Sequence, residues 1–157
     1  FFGIRFTEFK EFVLPQQKFE HVDVKPALEK LCMAQKPVIV AGGGAVDAYL
    51  QLREFAKMLN IPVVNTMMGT GVYPYDDENY LGMVGIFGDK SANTTLKESD
   101  VIFSVGARLN DRITCCFKSG ELSQKIIQLD INESEIEILL LFIIEHPQVF
   151  LIYIFLL

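Results

Sequence analysis

The stretch VIVAGGGAVDAYLQLREFAKMLNIPVV, from Val38 to Val64, limits what this chain can fold into more than any other. The wholly apolar run from Pro37 to Ala41 suits a strand buried on both faces. Gly42-Gly43-Gly44 follows at once. The next segment, Ala45 to Asn60, carries Ala48, Leu52, Phe55, Ala56 and Leu59 on one helical stripe. A second apolar run, Ile61 to Thr66, completes the unit. Strand, glycine turn, helix and strand in that order predict a crossover between two parallel strands.

The rest of the middle extends the same alternation. Val24 to Gln35 has apolar residues at helical spacing, with Pro26 near the start, where proline is tolerated. A long connection rich in Gly, Met and Tyr runs from Met67 to about Asp89. A short helix from Ser91 to Glu98 then leads to strand Asp100–Ala107, and a further strand spans Lys125–Ile131. The expected fold is α/β: a Rossmann-like, doubly wound parallel sheet with helices on both faces. In such sheets the strands end on one shared edge, where ligands bind.

Four strand tips converge on that edge: Gly42-Gly43-Gly44, Asn65-Thr66-Met67-Met68-Gly69, Gly106-Ala107-Arg108 and Asp130-Ile131-Asn132. Glycine permits close backbone approach to a ligand or a tight turn. Arginine offers charge-assisted bonds to phosphate, and a carboxylate at a strand end can accept from an adenine amine or a ribose hydroxyl. The dinucleotide fingerprint G-x-G-x-x-G is broken, because Asp47 stands at its third glycine and Asn65-Thr66 replace the acidic residue expected after the second strand. A nicotinamide dehydrogenase is therefore disfavoured. Nor is there a Walker lysine, a G-x-S-x-G elbow or an H-E-x-x-H helix. Asp76, Asp77 and Glu78, in YPYDDENY, read as a solvated acidic loop rather than as acid–base groups.

Charge and composition exclude other classes. A formal net charge of −6 with no basic stripe argues against nucleic acid as a partner. The three cysteines, Cys32, Cys115 and Cys116, make neither a disulfide frame nor a zinc pattern, and the two histidines, His21 and His146, are read as incidental. A cytoplasmic setting is expected. The ends differ from the middle: residues 1–22 form an atypical segment with phenylalanines scattered among charges, and no signal peptide is legible there. Residues 138–157 are almost wholly apolar but are cut by Glu145-His146-Pro147-Gln148, short of the about 20 consecutive apolar residues a membrane helix needs. Two buried strands, or a helix then a strand, are expected in this tail, which is also prone to aggregation.

The motifs KPVIVAGGGA, IPVVNTMMGTGVYPYDDENYLGMVGIFGDKSAN, SDVIFSVGARLNDRIT and KIIQLDINESEI together resemble the central domain of the catalytic subunit of acetolactate (acetohydroxyacid) synthase. That family is thiamine-diphosphate-dependent. The resemblance runs from about Lys36 to Ile136 and implies an FAD-binding central domain over residues 23–137. It implies a parent transferase that condenses 2-ketoacids, with decarboxylation of pyruvate, in branched-chain amino-acid biosynthesis. Thiamine diphosphate and magnesium would be held by other domains of that enzyme, so the 157-residue chain alone is expected to be inactive. Those missing amino- and carboxyl-terminal domains, and further copies of the subunit, are the implied partners, with no nucleic acid and no membrane.

Carried over by position, Gly42, Gly43 and Gly44 would lie against the ribityl and phosphate region of FAD. Thr66, Met67 and Met68 would flank the flavin, and Gly85, Ile86, Phe87 and Gly88 would line the same groove. Arg108 and Arg112 would meet the ribityl–phosphate portion, Gly106 and Asp111 would also contact the cofactor, and Asp130 with Ile131 would hold the adenine. Phe87 stands where a histidine is common, Leu109-Asn110 where Phe-Asp is common, and Cys115 where a glycine is common. Phe87 can stack on a ring but cannot donate a hydrogen bond to it. The alternative is a nucleotide-binding or purely structural central domain of another thiamine-diphosphate-dependent decarboxylase or oxidase.

Overall fold

The computed structural model describes residues 24–114, 117, 125–130 and 141–143. The amino-terminal segment 1–22, Cys115, Cys116, Ile131, Asn132 and most of the apolar tail lie outside these residues, as do both histidines. Six parallel strands form one sheet: β1 (Pro37–Ala41), β2 (Val63–Asn65), β3 (Tyr80–Met83), β4 (Val101–Val105), β5 (Ile126–Asp130) and β6 (Leu141–Ile143). Their spatial order is β3-β2-β1-β4-β5-β6. The chain thus lays down β1 to β3 outward in one direction, then returns to the other side of β1 for β4 to β6. The reversal between β1 and β4 is the topological switch point of a doubly wound sheet.

The central strands are buried and mostly apolar because both of their faces are covered, with Asn65, Ser104, Gln128 and Asp130 the buried polar residues among them. Ile39, Ala41, Val63, Val101, Phe103, Val105, Ile127 and Leu129 belong to one buried cluster, shared with helices α1 (Lys25–Met33) and α2 (Tyr49–Leu59). Val38, Val40, Val64, Ile102 and Ile126 belong to the other, shared with Ala92 and Leu96 of α3 (Lys90–Glu98) and Ile113 of the short α4 (Asp111–Thr114). The odd and even residues of β1 and β4 therefore serve opposite layers, as the period of a strand requires. The register Ile39↔Val63 and Ile39↔Phe103 keeps like faces aligned across the sheet.

The α2 stripe is buried as its spacing predicts, with Ala48, Leu52, Phe55 and Ala56 fully enclosed and Leu59 packed at the margin. The helix starts later than the pattern suggested, because Gly43–Ala48 is wound as a 3₁₀ segment before the α-helical turns begin. It stops at Asn60, which adopts the left-handed conformation (φ 51°) while its amide and that of Ile61 close on carbonyls of the last turn. Asp100, just before β4, accepts the backbone amides of Gln35 (2.7 Å) and Lys36 (2.9 Å), tying the α1–β1 turn to the start of β4.

One segment differs from the sequence-based expectation. The connection from Met67 to Asp89 is not a structureless loop: it holds a 3₁₀ turn (Met67–Gly69) and the edge strand β3. β3 was hidden because all four of its residues are only partly buried, and its pairing with β2 shifts register between Val63 and Asn65. Strand β6 lies in the apolar tail, where a strand was among the expected elements, and its backbone runs parallel to β5, with Asp130 opposite Ile143.

Phe55 of α2 meets Phe103 of β4 edge to face, with ring centroids 5.6 Å apart, and both side chains are fully buried. Truncating a buried phenylalanine leaves a cavity that a close-packed sheet cannot collapse into, so Phe55→Ala should cost about 3–5 kcal/mol. Chemical denaturation of the domain would register this as a lower midpoint at unchanged slope.

Candidate functional site

The switch point is built by backbone interlocking rather than by an open cradle. The Gly42 amide donates to the Val105 carbonyl (2.9 Å), the Gly44 amide to the Gly106 carbonyl (3.0 Å), and the Gly106 amide to the Leu129 carbonyl (2.8 Å). A β-carbon on Gly42 would overlap the Gly106 carbonyl oxygen and the Ala107 α-carbon. One on Gly106, whose φ is +55°, would sit 2.5 Å from the Gly44 carbonyl carbon. The β1 and β4 tips can approach this closely only without side chains. Gly43 faces the other way: its β-carbon would be 2.9 Å from the Met68 carbonyl oxygen at the β2 tip. The amides of Gly42 and Gly44 are thus engaged within the fold, and Gly43 is the glycine turned toward the β2 side of the edge.

At the β2 tip the polar side chains turn inward and the apolar ones outward. Buried Asn65 donates from Nδ2 to the Thr66 carbonyl (2.7 Å) and to Thr70 Oγ1 (3.2 Å), and its Oδ1 accepts from the Tyr80 hydroxyl (2.6 Å). Buried Thr66 accepts the Gly69 amide on Oγ1 (3.1 Å), closing the 3₁₀ turn. Met67 and Met68 are left projecting, with Met68 82% exposed.

The β3 tip repeats the pattern. The Gly88 amide donates to the Gly85 carbonyl (2.9 Å), the Ile86 amide to the Arg112 carbonyl (3.2 Å), and Ile86 and Phe87 point outward, Phe87 81% exposed. The Arg112 bond joins the loop after β3 to helix α4 after β4. Arg108 and Arg112 are exposed, Asp111 opens α4, and Asp130 is buried at the end of β5. The structure therefore brings Gly42 and Gly44 against Gly106, Gly43 against Met68, and Gly85-Ile86 against the backbone of Arg112. Asp130 stands one strand further out, beyond β4 from β1. What the edge offers is exposed apolar side chains at the β2 and β3 tips and exposed arginines after β4. Large apolar groups left in water side by side mark a surface meant to be covered.

The acidic loop is corrected in one position. Asp76 and Glu78 are exposed, but Asp77 is buried, with a side chain 1% exposed. Its Oδ2 meets Arg53 Nε (2.9 Å) and Lys57 Nζ (3.0 Å), both from α2, while Oδ1 accepts the Tyr73 hydroxyl (3.2 Å) and the Asn79 amide (3.3 Å). Burial pushes this carboxyl's pKa up, but the hydrogen bonds from Lys57, Arg53 and the Asn79 amide outweigh it and leave it lowered to about 2. Burial, then the charge of Asp77, push the Tyr73 hydroxyl upward, so it remains a donor. Arg53 and Lys57 sit one helical turn apart, which suits a shared partner, but nothing local in the sequence names a residue some twenty positions on.

Because the folded Asp77 is more acidic than its ordinary value of 3.8, its contribution to stability is complete above about pH 4 and is lost as pH falls toward 2. Asp77→Asn should lower stability at neutral pH by about 1.5–3 kcal/mol, the range for hydrogen bonds to a charged group. Its stability curve should also be flatter than wild type between pH 4 and 2. Denaturation midpoints measured across that range check both expectations.

A doubly wound α/β domain whose ligand edge lies at the β1/β4 switch point is the class these features define. The chain belongs to the family described as "Thiamine pyrophosphate enzyme, central domain", whose profile matches residues 24–140. Among curated relatives, it is 42% identical over 115 residues to the acetolactate synthase large subunit of Haemophilus influenzae, covering 72% of this chain and 20% of that protein. It is 44% identical over 115 residues to a probable acetolactate synthase large subunit of Methanococcus aeolicus, covering 72% of this chain and 19% of that protein. A glyoxylate carboligase of Escherichia coli O157:H7 is 38% identical over 118 residues, 73% of this chain and 20% of the relative. The chain thus spans about a fifth of the length of the relatives it matches.

Proposed function

We propose that this chain is the central domain of the large, catalytic subunit of an acetolactate synthase, and that its carboxyl edge holds FAD. The observation that carries the ligand reading is the pairing, on one sheet edge, of exposed apolar side chains with exposed arginines. A ligand matched to both has a flat apolar ring system at one end and phosphates further along. Met67, Met68, Ile86 and Phe87 flank the ring, with Phe87 able to stack on it. Gly85 and Gly88 shape the turn behind them. Gly43 approaches the ribityl chain, while Gly42, Gly44 and Gly106 form the close-packed floor beneath it. Arg108 and Arg112, with Asp111 between them, face the phosphate side, and Asp130 with Ile131 takes the adenine. When bound, FAD supplies no net oxidation or reduction to the condensation of 2-ketoacids.

In this reading the domain binds and orients, and decarboxylation of pyruvate belongs to the rest of the subunit, which would hold thiamine diphosphate and magnesium. The chain's partners are then the other domains of its own subunit and further copies of it. A second reading is a structural central domain of a related thiamine-diphosphate enzyme. It is favoured by one specific observation: the amides of Gly42 and Gly44, which a phosphate would otherwise recruit, are engaged by the β4 tip.

Flavin fluorescence quenching, titrated in the intact subunit, separates the two readings. A charge-assisted hydrogen bond contributes about 1.5–3 kcal/mol, so Arg112→Ala should weaken FAD roughly tenfold to a hundredfold. Asp130→Ala should cost less, because the adenine also has apolar contacts. Exposed Asp76→Ala is the neutral control, a role that buried Asp77 is unfit for. Wild-type affinity in Arg112→Ala would remove the arginine from the site, and tighter binding of NAD than of FAD would overturn the choice of ligand.

A further inference from the structure

Asn93, the last residue of the stretch that closes on GDKSAN, lies in the first turns of α3 and makes a two-point contact with a single residue of the ligand edge. Its Oδ1 accepts the Gly85 amide (2.9 Å), and its Nδ2 donates to the Gly85 carbonyl (2.9 Å). The pairing fixes the orientation of the side-chain amide, since a backbone N–H demands the oxygen and a carbonyl demands the nitrogen. Only asparagine fits. Aspartate lacks the donor, and glutamine is one methylene too long for the same half-buried position.

The residue held is an unusual one. Gly85 has φ +113°, a conformation side chains rarely adopt, and a β-carbon there would be 3.1 Å from the Arg112 carbonyl oxygen. Beyond it, the Ile86 amide reaches that same carbonyl and the Gly88 amide returns to Gly85. The turn is thus gripped by α3 on one side and α4 on the other. Its outward products are the exposed side chains of Ile86 and Phe87.

We infer that Asn93 is a positioning residue of the ligand edge: it sets the Gly85–Gly88 turn so that Ile86 and Phe87 stand ready against the flat ring of the ligand. This rests on the FAD reading above. A side chain held in place before binding loses less freedom on binding, and fixing a turn through both polar groups of one peptide residue is an economical way to hold it. Asn93 touches no ligand itself in this arrangement. It acts through Gly85.

The test uses the intact subunit, with Asn93→Ala, Asn93→Asp (which keeps the acceptor for the Gly85 amide and loses the donor) and Ser91→Ala as a control. Ser91 lies on the same helix and bonds the Leu81 carbonyl (3.2 Å), away from the turn. Two quantities are read: hydrogen exchange at the Gly85 and Ile86 amides without ligand, and FAD affinity with the visible circular dichroism of the bound flavin. Asn93→Ala should lose protection at Gly85, bind FAD about tenfold more weakly, and change the flavin dichroism while the thermal transition persists. Asn93→Asp should retain part of the Gly85 protection and fall between the two in affinity, which keeps the test open if the alanine variant fails to fold. Ser91→Ala should match wild type in both. If wild type binds FAD and both Asn93 variants bind equally well with an unchanged flavin spectrum, this inference is overturned and the FAD reading stands. If wild type takes up no flavin, the FAD reading falls and this inference falls with it.

Discussion

The contact on which the rest of the molecule depends is the one between the β1 and β4 tips, where Gly42 and Gly44 lie directly against Gly106. β1 and β4 pair residue for residue along their full length, from Pro37 opposite Val101 to Ala41 opposite Val105. Beyond Ala41 the two chains part toward opposite sides of the sheet. They do so with the Gly42 and Gly44 amides still bonded to carbonyls of the β4 tip. A methyl group at Gly42 would have to displace the carbonyl of Gly106, a residue whose own amide is bonded to the Leu129 carbonyl of β5. A single added carbon would therefore disturb three strands at once. The glycines answer first to packing, and whatever binds at the edge inherits the flat floor that packing leaves.

On that floor the usual arrangement of polar and apolar residues is reversed. Asn65, Thr66 and Asp77 are buried and bonded within the protein, whereas Met67, Met68, Ile86 and Phe87 face water. Exposed apolar residues scattered singly over a surface need no explanation. Four of them on two adjacent turns, each turn held by internal hydrogen bonds, do need one. The buried polar groups and the exposed apolar groups are two aspects of one feature, because the inward bonds of each turn are what leave its apolar members pointing out.

How much of this was legible in the sequence follows from where each residue finds its partners. β1, β4 and β5 could be read because a strand covered on both faces is a short, mostly apolar run, broken here only by Ser104 in β4 and by Gln128 and the terminal Asp130 in β5, and α2 because its stripe repeats along its own length. β3 could not, since a half-buried edge strand with a shifted register has neither signature. The edge itself was legible as chemistry: glycines, methionines and arginines at strand ends are local facts. The inward turn of Asp77 was not, because in Asp76-Asp77-Glu78 three adjacent acids look alike until α2 supplies Arg53 and Lys57 to the middle one. Asn93 was missed for the same reason, its partner being a backbone group that no sequence displays.

These long-range polar contacts join into one connected structure beneath the edge. α2, which begins just past the glycine turn, holds Asp77 through Arg53 and Lys57. Asp77 bonds the Tyr73 hydroxyl, and the Tyr73 ring stacks on Tyr80 with centroids 6.3 Å apart. The Tyr80 hydroxyl bonds Asn65, which in turn bonds Thr66 and Thr70 on either side of Met67 and Met68. The connection from Met67 to Asp89 is too long to hold its shape through local hydrogen bonds alone, and among the described residues its edge strand pairs with β2 alone. Anchoring it at a buried carboxylate bonded by two cations, a phenol and an amide fixes it to the helix that starts at the switch point. The glycine floor and the apolar side chains above it are thereby held by the same element, α2, from its two ends.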